Sequence, residues 1–308
     1  MTVIETRGLT QRFGATVALD DLDVTVPRGV TGLVGANGAG KTTLMSIVLG
    51  LREATAGELT VLGLDPVRQG ARLRAVVGYA PERNVLPDDM RAVDFVRHLA
   101  EVKGLPRDDA RNRASDSLWL VGLGEERFRP LGTMSTGQRQ RVKLAQALAA
   151  DPSLILLDEP TDGLDPVQRD EMLGLIRRVN DDFGIDVLLS SHLLEEVERV
   201  CDHVVALDAG RLVASGPLSD LVGSEEGIEL ELVDLADAPT AVDDVERILV
   251  AAGVSVRHDG VSLVLTGHGP DQLLDEARDA VAAVGARLRS LRSRRRTLED
   301  LFSESEVP

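Results

Sequence analysis

Aromatic side chains are scarce in this chain: five phenylalanines, one tyrosine and one tryptophan make up 2% of it. A packed core must draw its volume from Leu, Val, Ile and Ala instead, and a hydrophobic content of 43% is ample for that. Cysteine is scarcer still. Cys201 stands alone, which excludes an internal disulfide and a cysteine-based metal cluster. No apolar run reaches the ~18 residues that a membrane-crossing helix needs. Glu5 and Arg7 interrupt the first residues before the apolar core of a signal peptide could form. These absences lead to the expectation of a cytoplasmic protein. Lysine is the rare cation: of 34 basic residues only Lys41, Lys103 and Lys143 are not arginine. Genomic base composition and a saline habitat account for that bias equally well. A net charge of −17 argues against nucleic acid as a partner, because neutralising phosphates needs a positive face.

What is present begins with Gly35-Ala36-Asn37-Gly38-Ala39-Gly40-Lys41-Thr42-Thr43. It fits the phosphate-binding pattern G-x-x-x-x-G-K-[ST] at every fixed position. The apolar run Val30 to Val34 before it reads as a buried strand, and Thr42 to Leu49 after it reads as a helix start. The glycines let the main chain wrap tightly and aim its N–H groups at phosphate oxygens. The helix that follows adds its positive end. Lys41 then reaches the β- and γ-phosphates, and the Thr42 hydroxyl serves as a Mg²⁺ ligand. A plain glycine turn with a surface lysine would not bring strand, loop and helix into agreement.

Two further stretches carry chemistry. Leu154-Ile155-Leu156-Leu157 reads as a strand buried on both faces, as in a parallel sheet. Asp158 at its end is placed to hold Mg²⁺, and Glu159 next to it to polarise an attacking water. Earlier, Met134-Ser135-Thr136-Gly137-Gln138 opens an amphipathic helix bearing Val142, Leu144, Ala145 and Leu148. Ser135 and Gln138 have capping-box spacing, and such a turn is also an anion site. By itself it reads first as an ordinary capped helix.

As an ordered set, these residues resemble the ATP-binding subunit of ABC transporters, of the export-type, drug-resistance-like branch. The resemblance covers roughly residues 2 to 220. It implies an α/β fold: a P-loop NTPase core with an antiparallel β subdomain and a helical subdomain, about 87–147. Gly35 to Thr43 resembles the Walker A loop, Leu154 to Asp158 resembles Walker B, and Met134 to Gln138 resembles the family signature. Thr161 to Asp165 resembles the D-loop, and Ser190-Ser191-His192 the switch histidine. Phe13 matches the aromatic that stacks on adenine; the alternative is a core residue of a small antiparallel sheet. The resemblance implies that ATP and Mg²⁺ bind, with Glu159 as base or water-positioner, His192 on the γ-phosphate and Asp165, Ser135, Gly137 and Gln138 completing the nucleotide site. Two departures stand out. Thr136 replaces a usual glycine. Glu82, in Ala80-Pro81-Glu82, replaces the usual glutamine that contacts Mg²⁺ and water. Glutamate keeps the oxygen, loses the donor and adds a charge. Related export-type subunits carry Pro-Glu here, so this reads as a variant rather than inactivation.

The family builds each ATP site from the Walker A of one subunit and the signature of another. One chain carries one of each, so the resemblance implies pairing, with a second copy as the first expectation. It also implies a separate membrane permease, and a position on the cytoplasmic face of the membrane. The alternative function is a soluble ABC-type ATPase acting on ribosomes or DNA. Against it, the chain has a single Walker A, with no coiled coil and no zinc-binding cysteines. A GTPase or small-molecule kinase lacks the Asn-Lys-x-Asp guanine motif.

Gly216 to Glu226 turns to Gly, Pro, Ser and acid and reads as a linker between domains 1–220 and 226–308. Beyond it the pattern is β-α-β-β-α: Ile228, Leu230 and Leu232 alternating; Val242 to Ala252 helical; Val254 to Leu265 a hairpin turning at Asp259-Gly260; Pro270 to Val284 helical. This predicts a small α/β sandwich with no catalytic constellation. Arg287 to Arg296 holds six arginines in ten positions. It reads as a solvated face; the alternative is a contact to anionic lipid headgroups or an acidic partner.

Overall fold

The computed structural model of the chain describes residues 2–82, 86–222, 225–233, 241–260, 262–295 and 297–305. They form two units, one running to Leu218 and the other covering Ser219–Glu304.

The first unit opens with strands β1 (Thr2–Phe13) and β2 (Thr16–Pro27), then β3 (Val30–Val34), α1 (Lys41–Val48), β4 (Ala56–Val61), α2 (Gly70–Val76) and β5 (Val77–Ala80). Helices α3 (Ala92–Val102), α4 (Arg107–Leu120) and α5 (Thr136–Leu148) follow. The chain then alternates: β6 (Leu154–Asp158), α6 (Pro166–Phe183), β7 (Asp186–Ser191), α7 (Leu194–Val200), β8 (His203–Asp208) and β9 (Arg211–Pro217). Strands β2, β1 and β4 make an antiparallel sheet in that order. Its alternation is that of a half-buried sheet: Val24 and Val26 are buried, Asp23 and Thr25 exposed. A second sheet has the order β5-β6-β7-β3-β8-β9, parallel except for β9. Its central strands β3, β6 and β7 are buried throughout, which is why they are mostly apolar; β6 is a continuous apolar run up to Asp158, whereas β7 carries Asp186, Ser190 and Ser191. One core joins the sheets through Ile4, Leu22, Leu33, Met45, Leu73 and Leu156. The parallel strands all point the same way, so the loops after β3, β6 and β7 gather at one edge. That edge carries the site.

The few aromatics do not build this core. Trp119 is 64% exposed and Phe128 46%, and the Arg127 guanidinium lies over both rings, 5.7 and 4.6 Å from their centroids.

The predicted linker is more ordered than its composition suggests. Gly216 and Pro217 finish the edge strand β9, where a proline costs no ladder bond, and α8 (Leu218–Leu221) follows at once. Residues 223–224 of that stretch lie outside the described residues.

The second unit contains β10 (Glu225–Leu232), α9 (Ala241–Ala251), β11 (Ser255–Asp259), β12 (Ser262–Thr266), α10 (Pro270–Val284), β13 (Leu288–Arg295) and α11 (Leu298–Ser305). Its antiparallel sheet has the order β11-β12-β10-β13. Ile228, Leu230, Leu263 and Leu265 pack with Val245, Leu249, Leu273 and Ala277 of the helices. The sequence predicts the first five elements and misses the last two. The arginine run is a paired edge strand, with Leu291 opposite Leu230 and Arg292 opposite Glu229, and its Arg287, Arg289 and Arg292 are exposed as a solvated face requires. Arg289 pairs with Glu231 at 2.9 Å and Arg294 with Asp300 at 3.3 Å. Position 296, the end of that run, and position 261, in the hairpin, lie outside the described residues.

Candidate functional site

Strand β3 ends at Val34, and the loop after it depends on glycine. Gly35, Gly38 and Gly40 have φ of 151°, 89° and 103°. At Gly35 a Cβ would also stand 2.2 Å from the Leu207 carbonyl oxygen, so no larger residue fits. No side chain caps the start of α1, so its first N–H groups remain available to an anion. Lys41 is 7% exposed. Its Nζ donates to the carbonyl oxygens of Gly35 at 2.6 Å and Ala36 at 3.4 Å. The loop forms one wall of a cleft of about 460 Å³, with Asn37, Gly38, Gly40, Lys41, Thr42 and Thr43 on that side and Glu82, Glu159, Asp162 and His192 opposite.

The opposite wall is acidic and tightly held. Asp158 is 1% exposed and accepts the Ser190 hydroxyl at 2.7 Å. Ser190 Oγ in turn accepts the Glu159 N–H at 3.0 Å, so one serine of β7 fixes both acids at the end of β6. Near them, burial, then the charges of Asp158 and Glu82, push the Tyr79 phenol up to about 12. Glu159 has φ of 48°, a left-handed conformation that costs a non-glycine residue of order 1–3 kcal/mol. Its carboxylate stands between two cationic or switchable groups. Oε1 is 3.6 Å from Lys41 Nζ, and Oε2 is 2.8 Å from His192 Nδ1. Within this single chain, then, His192 engages Glu159.

Behind this wall lies a further buried carboxylate that sequence reasoning missed. Glu196, 3% exposed, accepts the hydroxyls of Thr161 at 2.7 Å and Ser191 at 2.9 Å and pairs with Arg169 at 3.1 Å. It ties the loop after β6 to the end of β7. Its signal in the sequence is weak: it lies four residues past His192, at the third position of α7. Lys143 was missed too. It is 2% exposed and donates to the Glu82 carbonyl at 3.0 Å. Burial pushes its ammonium down to about 8, against the pull of Asp158, Asp162 and Glu82.

Ser135, Gly137, Gln138 and Asp165 do not line the cleft. Ser135 and Gln138 form the full capping box of α5, at 3.3 and 3.1 Å. Asp165 caps α6 by accepting the Gln168 N–H at 2.9 Å. These two helix starts adjoin: a Cβ at Gly137 would stand 2.8 Å from Gln168 Oε1. Phe13 is 41% exposed, which removes it from the core. The Arg52 guanidinium covers its ring at 4.7 Å, and it does not line the cleft. Gly35 and Ala39 are buried behind the loop, and Asp158 behind the acidic wall.

Residues 19–162 match the sequence profile of the ABC transporter family. The methionine import ATP-binding protein MetN of Mesorhizobium japonicum is 34% identical, over 82% of this chain and 70% of its own length. The daunorubicin/doxorubicin resistance ATP-binding protein DrrA of Streptomyces peucetius is 31% identical, over 91% of this chain and 83% of its own. Among solved structures, an ATP-binding subunit of an ABC transporter superposes with a TM-score of 0.63 at 30% identity, covering 71% of this chain and 92% of that one.

Proposed function

The chain belongs to the ABC transporter family as an ATP-binding, ATP-hydrolysing subunit, and from that premise we propose that it powers a separate membrane permease for export of drug-like cargo. The observation that carries the export reading is the likeness to the resistance protein DrrA, which extends over 91% of this chain. Import is the second reading, favoured by the 34% identity to a methionine import subunit.

The chemistry follows from the cleft. The open N–H groups of the glycine loop and α1 receive the phosphates, and Lys41 leaves its carbonyl partners to reach the terminal ones. Glu159, held at an unusual φ by Ser190, positions the attacking water and takes its proton. His192 exchanges its contact with Glu159 for the γ-phosphate, so the base is released when nucleotide arrives. Thr42, Asp158 and Glu82 offer hard oxygen donors that suit Mg²⁺. Among the described residues no three carboxylates or histidines cluster to hold a metal alone, so water and phosphate oxygens would complete its shell. The ion would neutralise charge that builds up on the phosphates.

A signature turn that does not line its own cleft favours a shared site. A second copy would present its Ser135, Gly137 and Gln138 to the nucleotide, with Asp165 close by. Phe13 would carry the adenine. No helix among the described residues is long and apolar enough to cross a membrane. In this reading the permease is a separate chain, and the subunit sits against its cytoplasmic face. Trp119 and Phe128 are exposed on the helical subdomain and suit that docking.

The test is to tag the chain, solubilise its native membranes and identify what co-purifies. Cells carrying the chain and that permease are then loaded with an anthracycline and, separately, with labelled methionine. Lower anthracycline accumulation with the intact chain than with Glu159→Gln supports export. ATP-dependent methionine uptake reverses the direction, and ribosomes or nucleic acid in place of a polytopic partner overturn the transporter reading.

A further inference from the structure

Strand β5 is the edge of the six-stranded sheet, with β6 as its one neighbour. An edge strand leaves outward carbonyls that need donors. Here two side chains from the helical subdomain supply them, and a third reaches a carbonyl just past the strand. Lys103, just past α3, donates to the Val77 carbonyl at 2.8 Å. On α5, Gln146 donates to Tyr79 at 3.2 Å and Lys143 to Glu82 at 3.0 Å. Lys143 and Gln146 are three residues apart and so share a helix face. The approach is close because residue 78 is glycine: a Cβ there would stand 2.1 Å from the Ala147 carbonyl oxygen.

The choice of residue is informative. The chain has 34 basic residues and three lysines. Each of the three places its ammonium on a main-chain carbonyl: Lys41 on Gly35, Lys103 on Val77, Lys143 on Glu82. A compact ammonium fits such a seat, whereas a planar guanidinium fork is built for carboxylates. Lys143 is moreover surrounded by acid, with Asp158, Asp162 and Glu82 all acting on it. A buried cation among carboxylates offsets charge that would otherwise repel a nucleotide.

We propose that Lys143, assisted by Lys103, is a positioning residue for hydrolysis: it ties the 77–82 segment to α3 and α5, sets the Glu82 carboxylate at the cleft and offsets the acid cluster there. The inference rests on the cleft being the ATP site.

The test compares full-length Lys143→Met, Lys103→Met, Glu82→Gln and the double variant Lys143→Met/Glu82→Gln, by kcat and KM for ATP and by thermal unfolding. Lys143→Met should lower kcat about tenfold with KM nearly unchanged, and Lys103→Met should do less. Adding Glu82→Gln should restore most of that loss, because the charge that needed an offset is gone. Lys143→Arg, which keeps the charge, should retain more activity than Lys143→Met. Where Lys143→Met does not fold, Lys143→Gln, a neutral donor, takes its place in the same cycle. A kcat within about twofold of wild type overturns the proposal, as does an equal loss in both backgrounds, which would leave only an edge cap. Failure of the ATP-site reading looks different: Glu159→Gln would then hydrolyse ATP as fast as wild type.

Discussion

In the first unit Lys41, Lys143, Asp158, Glu159 and Glu196 are each less than a tenth exposed. In the second, charged groups meet at the surface: Arg289 with Glu231, His258 with Glu246, His268 with Glu276. Among its described residues only Ser262 and Asp300 are buried polar groups, and Asp300 is matched by Arg257 and Arg294. Both units are sheets backed by helices with aliphatic cores, so apolar packing does not separate them. Desolvating a charge costs several kcal/mol unless partners offset it. The first unit holds five such charges at or behind one cleft, each engaged by a neighbour; a sixth, Asp186 at the start of β7, is 4% exposed and pairs with Arg28. Such a cluster is the mark of a reacting site, and the described part of the second unit holds none.

That contrast is breakable at its strongest point. Glu159→Gln should reduce hydrolysis by ~10²–10⁴ while ATP still binds, because the water loses its proton acceptor and the loop keeps its N–H groups. A variant retaining more than about a tenth of the rate in a phosphate-release assay reassigns the base. The matching change in the second unit is Leu265→Ala, at a side chain with no exposed surface. It should cost about 2–5 kcal/mol in thermal or denaturant unfolding. Turnover per folded molecule should stay at the wild-type value. A fall in kcat without a loss of folded protein would show that the second unit serves the chemistry after all.

The parts of this molecule that were legible in the sequence are the local ones. A loop that needs positive φ must show glycines, as at Gly35, Gly38 and Gly40. A strand buried on both faces must be a continuous apolar run, as in Leu154 to Leu157. A helix start shows its cap, as Ser135 and Gln138 do. What stayed hidden joins distant positions. Lys143 meets Glu82 from 61 residues away and Thr161 meets Glu196 from 35, and no spacing rule links such pairs. Strand β13 was hidden for another reason. Arginines occupy both kinds of position along it, so the two-residue alternation never appears. What qualifies it as a strand is the glutamates of β10 across the ladder.

Two smaller effects sharpen the contrast further. Glu82→Gln keeps the oxygen that faces the cleft and removes one negative charge from an already acidic wall. Hydrolysis should hold or rise, and a drop of about tenfold or more in kcat would make the carboxylate itself essential. The least effect is expected on β13. Arg289 is 65% exposed at its side chain, so its pair with Glu231 is screened by water. Arg289→Ala should change stability by less than about 1 kcal/mol. The same variant decides the lipid question. If the arginines of this strand serve mainly to balance glutamates, the full chain should not sediment with phosphatidylserine vesicles at physiological salt, and the substitution should change nothing. Retention on those vesicles, lost in Arg289→Ala and in Arg292→Ala, would turn the edge strand into a membrane contact. The surface charge of the second unit would then be functional, and burial of charge would no longer be what sets the working unit apart.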